Sequence, residues 1–387
     1  MEWQIRARRL AEQLVAAGKL WSPEWRDSIE EVPRHVFTPD VLRRDPDGSW
    51  HRLDHSTPDG RREWLDRVYS NTALLTATTE TPDSSSLRSS SSMPGLMTRM
   101  LESLDVRDGH RVLEIGTGTG YNVGLLSRRL GEANVFSVDI EPDLVDLARA
   151  RLAVLGYHPT LRTADGADGL AECAPFDRII ATCAVPVIPW PWVEQTRLGG
   201  VILTDLKPTR GAGSLVRLVR SGDGAEGRFD PVYAAFMDLR RQHTAPPSGR
   251  PAKDRSGTPR QRTSTLDPNA PWNSLLVWFL AGLDLGPGLR IGYCRPDDSG
   301  RPTASSLTAA DGSWAEVTLA DDDGAHEVIE GGTRSVWRIV EAAHETWTSL
   351  GSPGWERFGL TVTQDRQVVW FDTPSDAHQW PLIGDSP

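Results

Sequence analysis

Cysteine is scarce. Only Cys173, Cys183 and Cys294 occur in 387 residues, an odd number at wide spacing. That excludes a disulfide framework and a thiolate zinc knuckle, and it fits a reducing cytoplasm. Lysine is scarcer relative to need: Lys19, Lys207 and Lys253 are the only three among 42 basic residues, which reads as coding bias rather than chemistry. No apolar run approaches the ~20 residues of a membrane span, and residues 1–14 lack a signal-peptide stretch. A net charge of -11 argues against nucleic-acid partners. The central segment also lacks tryptophan: of 15, none falls between Trp64 and Trp190.

The length suggests two domains or three. Residues 1–37 read as helices, with Leu10, Leu14 and Val15 at helical spacing. Residues 43–66 are polar and read as a surface insertion. Seven of the nine residues 84–92 are serine, a linker by composition. It ends at Met93-Pro94, before an amphipathic helix, where hydroxyls and amides can meet an anion.

From 109 to 205 short apolar runs alternate with helical patterns. Strands are expected at 111–115, 134–139, 160–163, 178–182 and 200–205, and helices at 121–130, 142–155 and 189–197. This rhythm predicts a doubly wound α/β sheet of the Rossmann-like kind. Residues 213–220 and 232–239 read as closing strands. Together, 1–242 form the expected catalytic domain. Residues 243–271, rich in Pro, Ser and Arg, read as a linker. Residues 272–387 read as a separate α+β accessory domain, with helices at 274–283 and 335–350 and strands at 316–319, 360–363 and 367–371.

The chemistry concentrates in Val112-Leu113-Glu114-Ile115-Gly116-Thr117-Gly118-Thr119-Gly120, an apolar strand, an acid and a glycine loop. Glycines permit a tight turn and close backbone approach to a cofactor. Asp139, about 20 residues on, closes a second strand where a carboxylate can accept from ribose hydroxyls. Asp165-Gly166 follows a third strand, where an acid can meet a purine amino group. A dinucleotide site wants a third glycine where Tyr121 stands, and Glu114 would repel a pyrophosphate. That acid suits a cofactor with a cationic amino-acid end, such as S-adenosylmethionine (SAM). The candidate cofactor residues are therefore Glu114, Gly116, Thr117, Gly118, Gly120 and Tyr121 at the loop. Asp139 and Ile140 join them from the second strand, Asp165 and Gly166 from the third, and Thr182 from the fourth. Helix capping explains any one acid, but is strained for three in register. His326, His344 and His378 lack ligand spacing, so no metal is expected.

Leu113–Tyr121 closely resembles the SAM loop of protein-L-isoaspartate O-methyltransferases. Glu31-Val32-Pro33-Arg34-His35-Val36-Phe37 resembles that family's N-terminal element, and Ser92-Met93-Pro94 its active-site Ser-x-Pro. Phe176-Asp177-Arg178-Ile179-Ile180, Pro186 and Leu198-Gly199-Gly200 agree in order. The resemblance spans about residues 8–240. It implies SAM as cofactor, Ser92 as the residue that orients an acceptor carboxylate, and Ser91 as its helper. His35 reads as a structural histidine, since an ionised carboxylate needs no base.

The extra C-terminal region, the insertion and the serine run depart from the repair enzymes. The layout resembles the methyltransferases of actinobacterial peptide-maturation systems, of the ATP-grasp (graspetide) and lanthipeptide kinds. That likeness implies methylation of an aspartate in a modified precursor peptide, the ester closing to an aspartimide. Repair of isoaspartate in damaged proteins is the alternative. A non-catalytic SAM-fold partner that presents a peptide is a third reading, disfavoured by the intact Glu114, Asp139 and Ser92 set.

Overall fold

A computed structural model describes residues 2–45, 49–81, 84–209, 211–241, 253–320 and 324–382. The chain forms two compact units, neither contiguous in sequence. The first comprises 1–182, 191–203 and 239–241; the second comprises 183–190, 204–238 and 242–387. This division departs from the expected boundary at 242, because the strands Phe176–Val185 and Thr196–Thr209 each begin in one unit and end in the other.

The first unit is built on a parallel sheet. Val112–Ile115 lies between Val135–Asp139 and Phe176–Val185, and Thr160–Thr163 pairs outside Val135–Asp139. Every residue of the first two strands is buried, so they read as continuous apolar runs rather than alternating ones. The helices Tyr121–Leu130 and Pro142–Val154 follow the first two strands and run close to the expected ranges.

The described residues of 43–66 hold more regular structure than a surface insertion would. Leu42–Arg44 and Trp50–Arg52 form a hairpin, and the helix Pro58–Val68 buries Trp64, Leu65 and Val68. Thr57 caps it by accepting from Gly60 N–H. The serine run is no linker either. Ser84–Ser91 pairs antiparallel with Leu74–Thr81 in a four-stranded sheet that includes the hairpin. Serine has poor strand propensity, so composition hid a strand that cross-strand pairing stabilises.

The second unit holds two antiparallel arrays. In one, Ala212–Ser221 pairs with Gly224–Phe229, which pairs with Phe358–Thr363, then Gln367–Phe371 and Gln379–Pro381. In the other, Arg260–Ser264, His326–Gly331, Trp314–Thr318, Pro302–Thr308 and Arg290–Pro296 lie in that order. The expected strand at 232–239 is absent. That stretch makes only a bridge from Asp238 to Ala184, and the closing strand is Gly224–Phe229, whose glycines masked it. Part of the expected linker is also structured: Arg260–Ser264 is a sheet edge, and Lys253 pairs with Glu316 at 2.6 Å. Residues 243–252 of that linker lie outside the described residues. Leu275–Leu285, apolar on nearly every face, packs against Val336–Ser349. Five of the eight tryptophans beyond residue 271 are buried here, at 278, 314, 337, 355 and 370.

Candidate functional site

The glycine loop has the backbone its sequence implies. Gly116, Gly118 and Gly120 lie at φ 96°, 50° and 85°, where side chains other than glycine are strained. At Gly120, the residue before Tyr121–Leu130, a Cβ would stand 2.9 Å from Ala148 Cβ. The loop is fixed to the second strand through Gly116 and Thr117 N–H groups, both donating to Val138 O.

Glu114 lies beneath the loop at 1 % exposure. Its carboxyl accepts from Asn122 Nδ2 at 2.7 Å and Ser137 Oγ at 2.8 Å. Ser137 and Thr117 hydroxyls are 2.7 Å apart. Burial pushes the Glu114 carboxyl up to about 8, against the two hydrogen bonds and with help from Asp139. Asn122 and Ser137 were not anticipated from sequence. The available signal was a polar residue in each of two otherwise apolar stretches, Tyr-Asn-Val-Gly-Leu and Val-Phe-Ser-Val.

Asp139 accepts from Gly118 N–H at 2.9 Å and from Glu141 N–H at 3.1 Å. Ile140, half-buried, follows it. Asp165 accepts from Ala167 N–H at 2.9 Å and lies 3.8 Å from Arg241 Nε. Gly166 leaves no room for a Cβ against Ile115 Cγ2, at 2.6 Å, and its carbonyl accepts from Trp192 Nε1. Thr182 Oγ1 donates to Gly116 O at 2.9 Å. These residues therefore converge at the carboxyl ends of neighbouring parallel strands, the ligand side of such sheets.

The serine strand reaches the same place. A Cβ on Gly118 would sit 3.8 Å from Ser90 O and 3.9 Å from Ser89 Oγ. Ser91 is buried, its hydroxyl 3.4 Å from Arg34 Nη2. Ser92 is half-buried, and its hydroxyl has no hydrogen-bond partner among the described residues. Its carbonyl accepts from Arg34 Nη2 at 3.0 Å. Arg88 ties the strand to Glu141 at 2.8 Å, and Arg240 holds the other oxygen of that carboxylate at 2.6 Å. His35 sits among Trp3, Trp64 and Tyr69, with Nδ1 2.8 Å from the Tyr69 hydroxyl. Burial lowers it to about 4, which keeps it neutral.

The residues fit SAM. The loop is cleared of side chains, a strand-end carboxylate and a buried acid are in place, and Asn122 Oδ1 is buried without a partner among the described residues. Glu114, Asp139 and Asp165 would take the cationic amino-acid end, the ribose and the adenine. A sheet of this order, with a glycine loop after its first strand and acids after the next two, defines the class I SAM-dependent methyltransferase fold.

The model of the protein-L-isoaspartate(D-aspartate) O-methyltransferase family matches residues 60–239. The protein-L-isoaspartate O-methyltransferase of Rhodospirillum rubrum is 37 % identical over 216 residues, 54 % of this chain and 84 % of its own length. That of Ignicoccus hospitalis is 28 % identical over 219 residues, 56 % of this chain and 89 % of its own length. A solved structure of a protein-L-isoaspartate O-methyltransferase shares the fold. Its TM-score is 0.54 at 20 % identity, over 95 % of this chain and 100 % of that one. The chain belongs to the protein-L-isoaspartate O-methyltransferase family and is a SAM-dependent carboxyl O-methyltransferase.

Glu114 gives the site a pH signature. In the free protein the carboxyl holds its proton up to about 8, whereas the unfolded chain releases it near 4.5. Between those values the native state binds more protons, so this group's contribution to stability falls as pH rises. A cation placed beside it favours the ionised form. SAM binding at pH 7 should therefore release up to about one proton and tighten as pH rises toward 8. Calorimetry in two buffers of different ionisation enthalpy measures this. Glu114→Gln should bind SAM without proton release; equal release from both proteins would remove Glu114 from the cofactor's cationic end.

Proposed function

We propose that this enzyme methylates an aspartate side chain in a ribosomally made, modified, macrocyclic peptide, and that the ester leads to an aspartimide, either as the final product or as the precursor of isoaspartate. SAM supplies a methyl group on a sulfonium, an excellent leaving group. The carboxylate oxygen bonds to the methyl carbon as the carbon–sulfur bond breaks, and the electron pair stays on sulfur. The chain's own contribution is alignment and exclusion of water. Ser92, whose hydroxyl has no partner among the described residues and which follows the strand that reaches the glycine loop at Ser89 and Ser90, orients the acceptor without neutralising it, and Ser91 braces it from the Arg34 side. In the second step the next residue's backbone nitrogen attacks the ester carbonyl, losing its proton as methanol leaves, and a five-membered imide closes.

The observation that carries the peptide reading is the second unit. The family match ends at residue 239, and beyond it the described residues 253–320 and 324–382 belong with 204–238 to one compact body. That body carries a stacked pair, Trp272 and Tyr293, with centroids 4.8 Å apart and Tyr293 48 % exposed. Such aromatic pairs suit peptide recognition. Isoaspartate repair is the second reading. It is favoured by the solved isoaspartate methyltransferase whose likeness runs over 95 % of this chain, the second unit included.

Mass spectrometry separates them. Incubation with SAM and a modified precursor peptide should add one methyl and then lose methanol. Turnover of an ordinary isoaspartyl peptide, with the precursor ignored, would establish repair instead. On the accepted peptide, Ser92→Ala should lower turnover about 10–100-fold, the value of a hydrogen bond to a charged group. SAM affinity should stay within about twofold. Unaltered turnover would make Ser92 a turn residue only.

A further inference from the structure

Arg34 is 0 % exposed, and no carboxylate lies within ion-pair distance of it among the described residues. Its guanidinium is instead surrounded by oxygens. Nη1 donates to Val68 O at 2.7 Å and Ser70 O at 3.2 Å. Nη2 donates to Thr72 O at 3.2 Å, to Ser91 O and Oγ at 3.4 Å, and to Ser92 O at 3.0 Å. Nε is buried with no partner. The charge also lies over the Tyr121 ring, 5.7 Å from its centroid, so one side chain reaches both Ser91–Ser92 and the first residue after the glycine loop. Burial lowers its pKa, but only to about 10, so it is a cation at neutral pH.

A tie between loops does not need a charge. Neutral donors could hold the same carbonyls without the cost of desolvating an unpaired cation. What the charge adds is a positive field, and the group nearest to it at the site is the Ser92–Met93 peptide. The Ser92 hydroxyl and the Met93 N–H, on either side of that peptide's carbonyl, both lack partners among the described residues. Donation from Arg34 to Ser92 O polarises the peptide and strengthens its N–H as a donor.

We propose that Arg34 is a positioning residue for the acceptor, presenting an uncompensated positive charge behind the Ser92–Met93 peptide that draws in the substrate carboxylate and keeps it ionised. The separation matters. Methyl transfer joins an anion to a sulfonium and annihilates both charges, so a cation in direct contact with the acceptor would blunt the nucleophile. Set one peptide away, it favours binding and ionisation while the reacting oxygen stays free. The inference rests on the carboxylate acceptor and holds for either peptide considered above.

The test uses full-length protein and whichever of the isoaspartyl or precursor peptides the wild type methylates. Arg34→Gln should raise the acceptor KM about tenfold while kcat at neutral pH stays within about threefold and SAM affinity within about twofold. The acid limb of kcat should move up by about one pH unit, since a tenfold preference for the ionised form is one unit. Arg34→Lys, which keeps the charge, should restore the limb. Among the described residues, the other titratable groups acting on Arg34 are Tyr69 and Tyr121, both held neutral by burial, and the next residue, His35, titrates at about 4 and is present in every variant. A loosened loop would instead change kcat and SAM affinity together, leave the limb in place, and overturn the proposal.

Should the glutamine variant fail to fold, the wild type still decides. With S-adenosylhomocysteine in place of SAM, a peptide carrying an amide at the acceptor position should bind about tenfold more weakly than the carboxylate form. Equal binding would overturn the charge role. A wild type that methylates neither peptide would overturn both the proposed function and this inference.

Discussion

Valine at Gly120 should yield a protein that binds no SAM and unfolds well below the wild type. Two costs combine. Gly120 sits at φ 85°, where a β-branched residue is strained by about 1–3 kcal/mol. Its Cβ would also stand 2.9 Å from Ala148 Cβ and 3.5 Å from Phe37 Cδ1, both in packed helices. Overpacking of that kind costs about 1–3 kcal/mol more. The loop can relieve the contact only by moving off the second strand, which moves the backbone groups that face the cofactor. Thermal unfolding and SAM titration read the two effects separately. Gly120→Ala should fall between valine and wild type; an alanine variant with unchanged SAM affinity would show that the close approach at Gly120 does not shape the site.

A chain ended after Arg241 should aggregate rather than survive as a cofactor-binding core. Gly224–Phe229 would lose Phe358–Thr363, its partner over five residue pairs from Gly224↔Thr363 to Arg228↔Gly359. Phe229, at 2 % exposure, would lose Phe279 and Trp355, whose rings lie 5.4 and 5.7 Å from its own. An unpaired strand edge beside exposed aromatics is a template for association. Light scattering and circular dichroism of the truncated protein test this. A monomeric truncation with native circular dichroism and wild-type SAM affinity would mean that residues 204–238 do not depend on residues 242–387.

The parts of the fold that were legible in sequence are those where pattern and environment agree. Val112–Ile115 and Val135–Asp139 are apolar, bounded by a glycine loop and an acid, and buried on both faces. Tyr121–Leu130 begins at a left-handed glycine and ends at another positive-φ glycine, Gly131, so its ends were fixed by local chemistry. The rest failed where tertiary context overrides composition. Ser84–Ser91 is a strand because Leu74–Thr81 pairs with it, not because serine favours one. Gly224–Phe229 carries two glycines because a Cβ at either would run into a neighbouring strand's backbone, at Val362 O and at Arg217 O. The same glycines that let the strands approach disguised the strand. At the site, charged residues at strand ends were readable from spacing. Asn122 and Ser137 were not, since their role depends on which buried acid they face, and a buried cation with no counter-ion among the described residues, as at Arg34, has no sequence signature beyond the motif that contains it.

The interleaving of the two units also sets a timetable for synthesis. Phe229 leaves the ribosome 129 residues before Phe358, the first residue of the strand that pairs with its own. At 5–20 residues per second that interval is roughly 6–26 s. The cofactor unit's last segment, 239–241, emerges early in it, so the glycine loop, the serine strand and Arg34 can assemble while the second unit is still half made. For those seconds the nascent chain carries a nearly complete catalytic unit and an open strand edge in one polypeptide. The demand on holding chaperones therefore falls on one short stretch, 212–229, rather than on the active site itself.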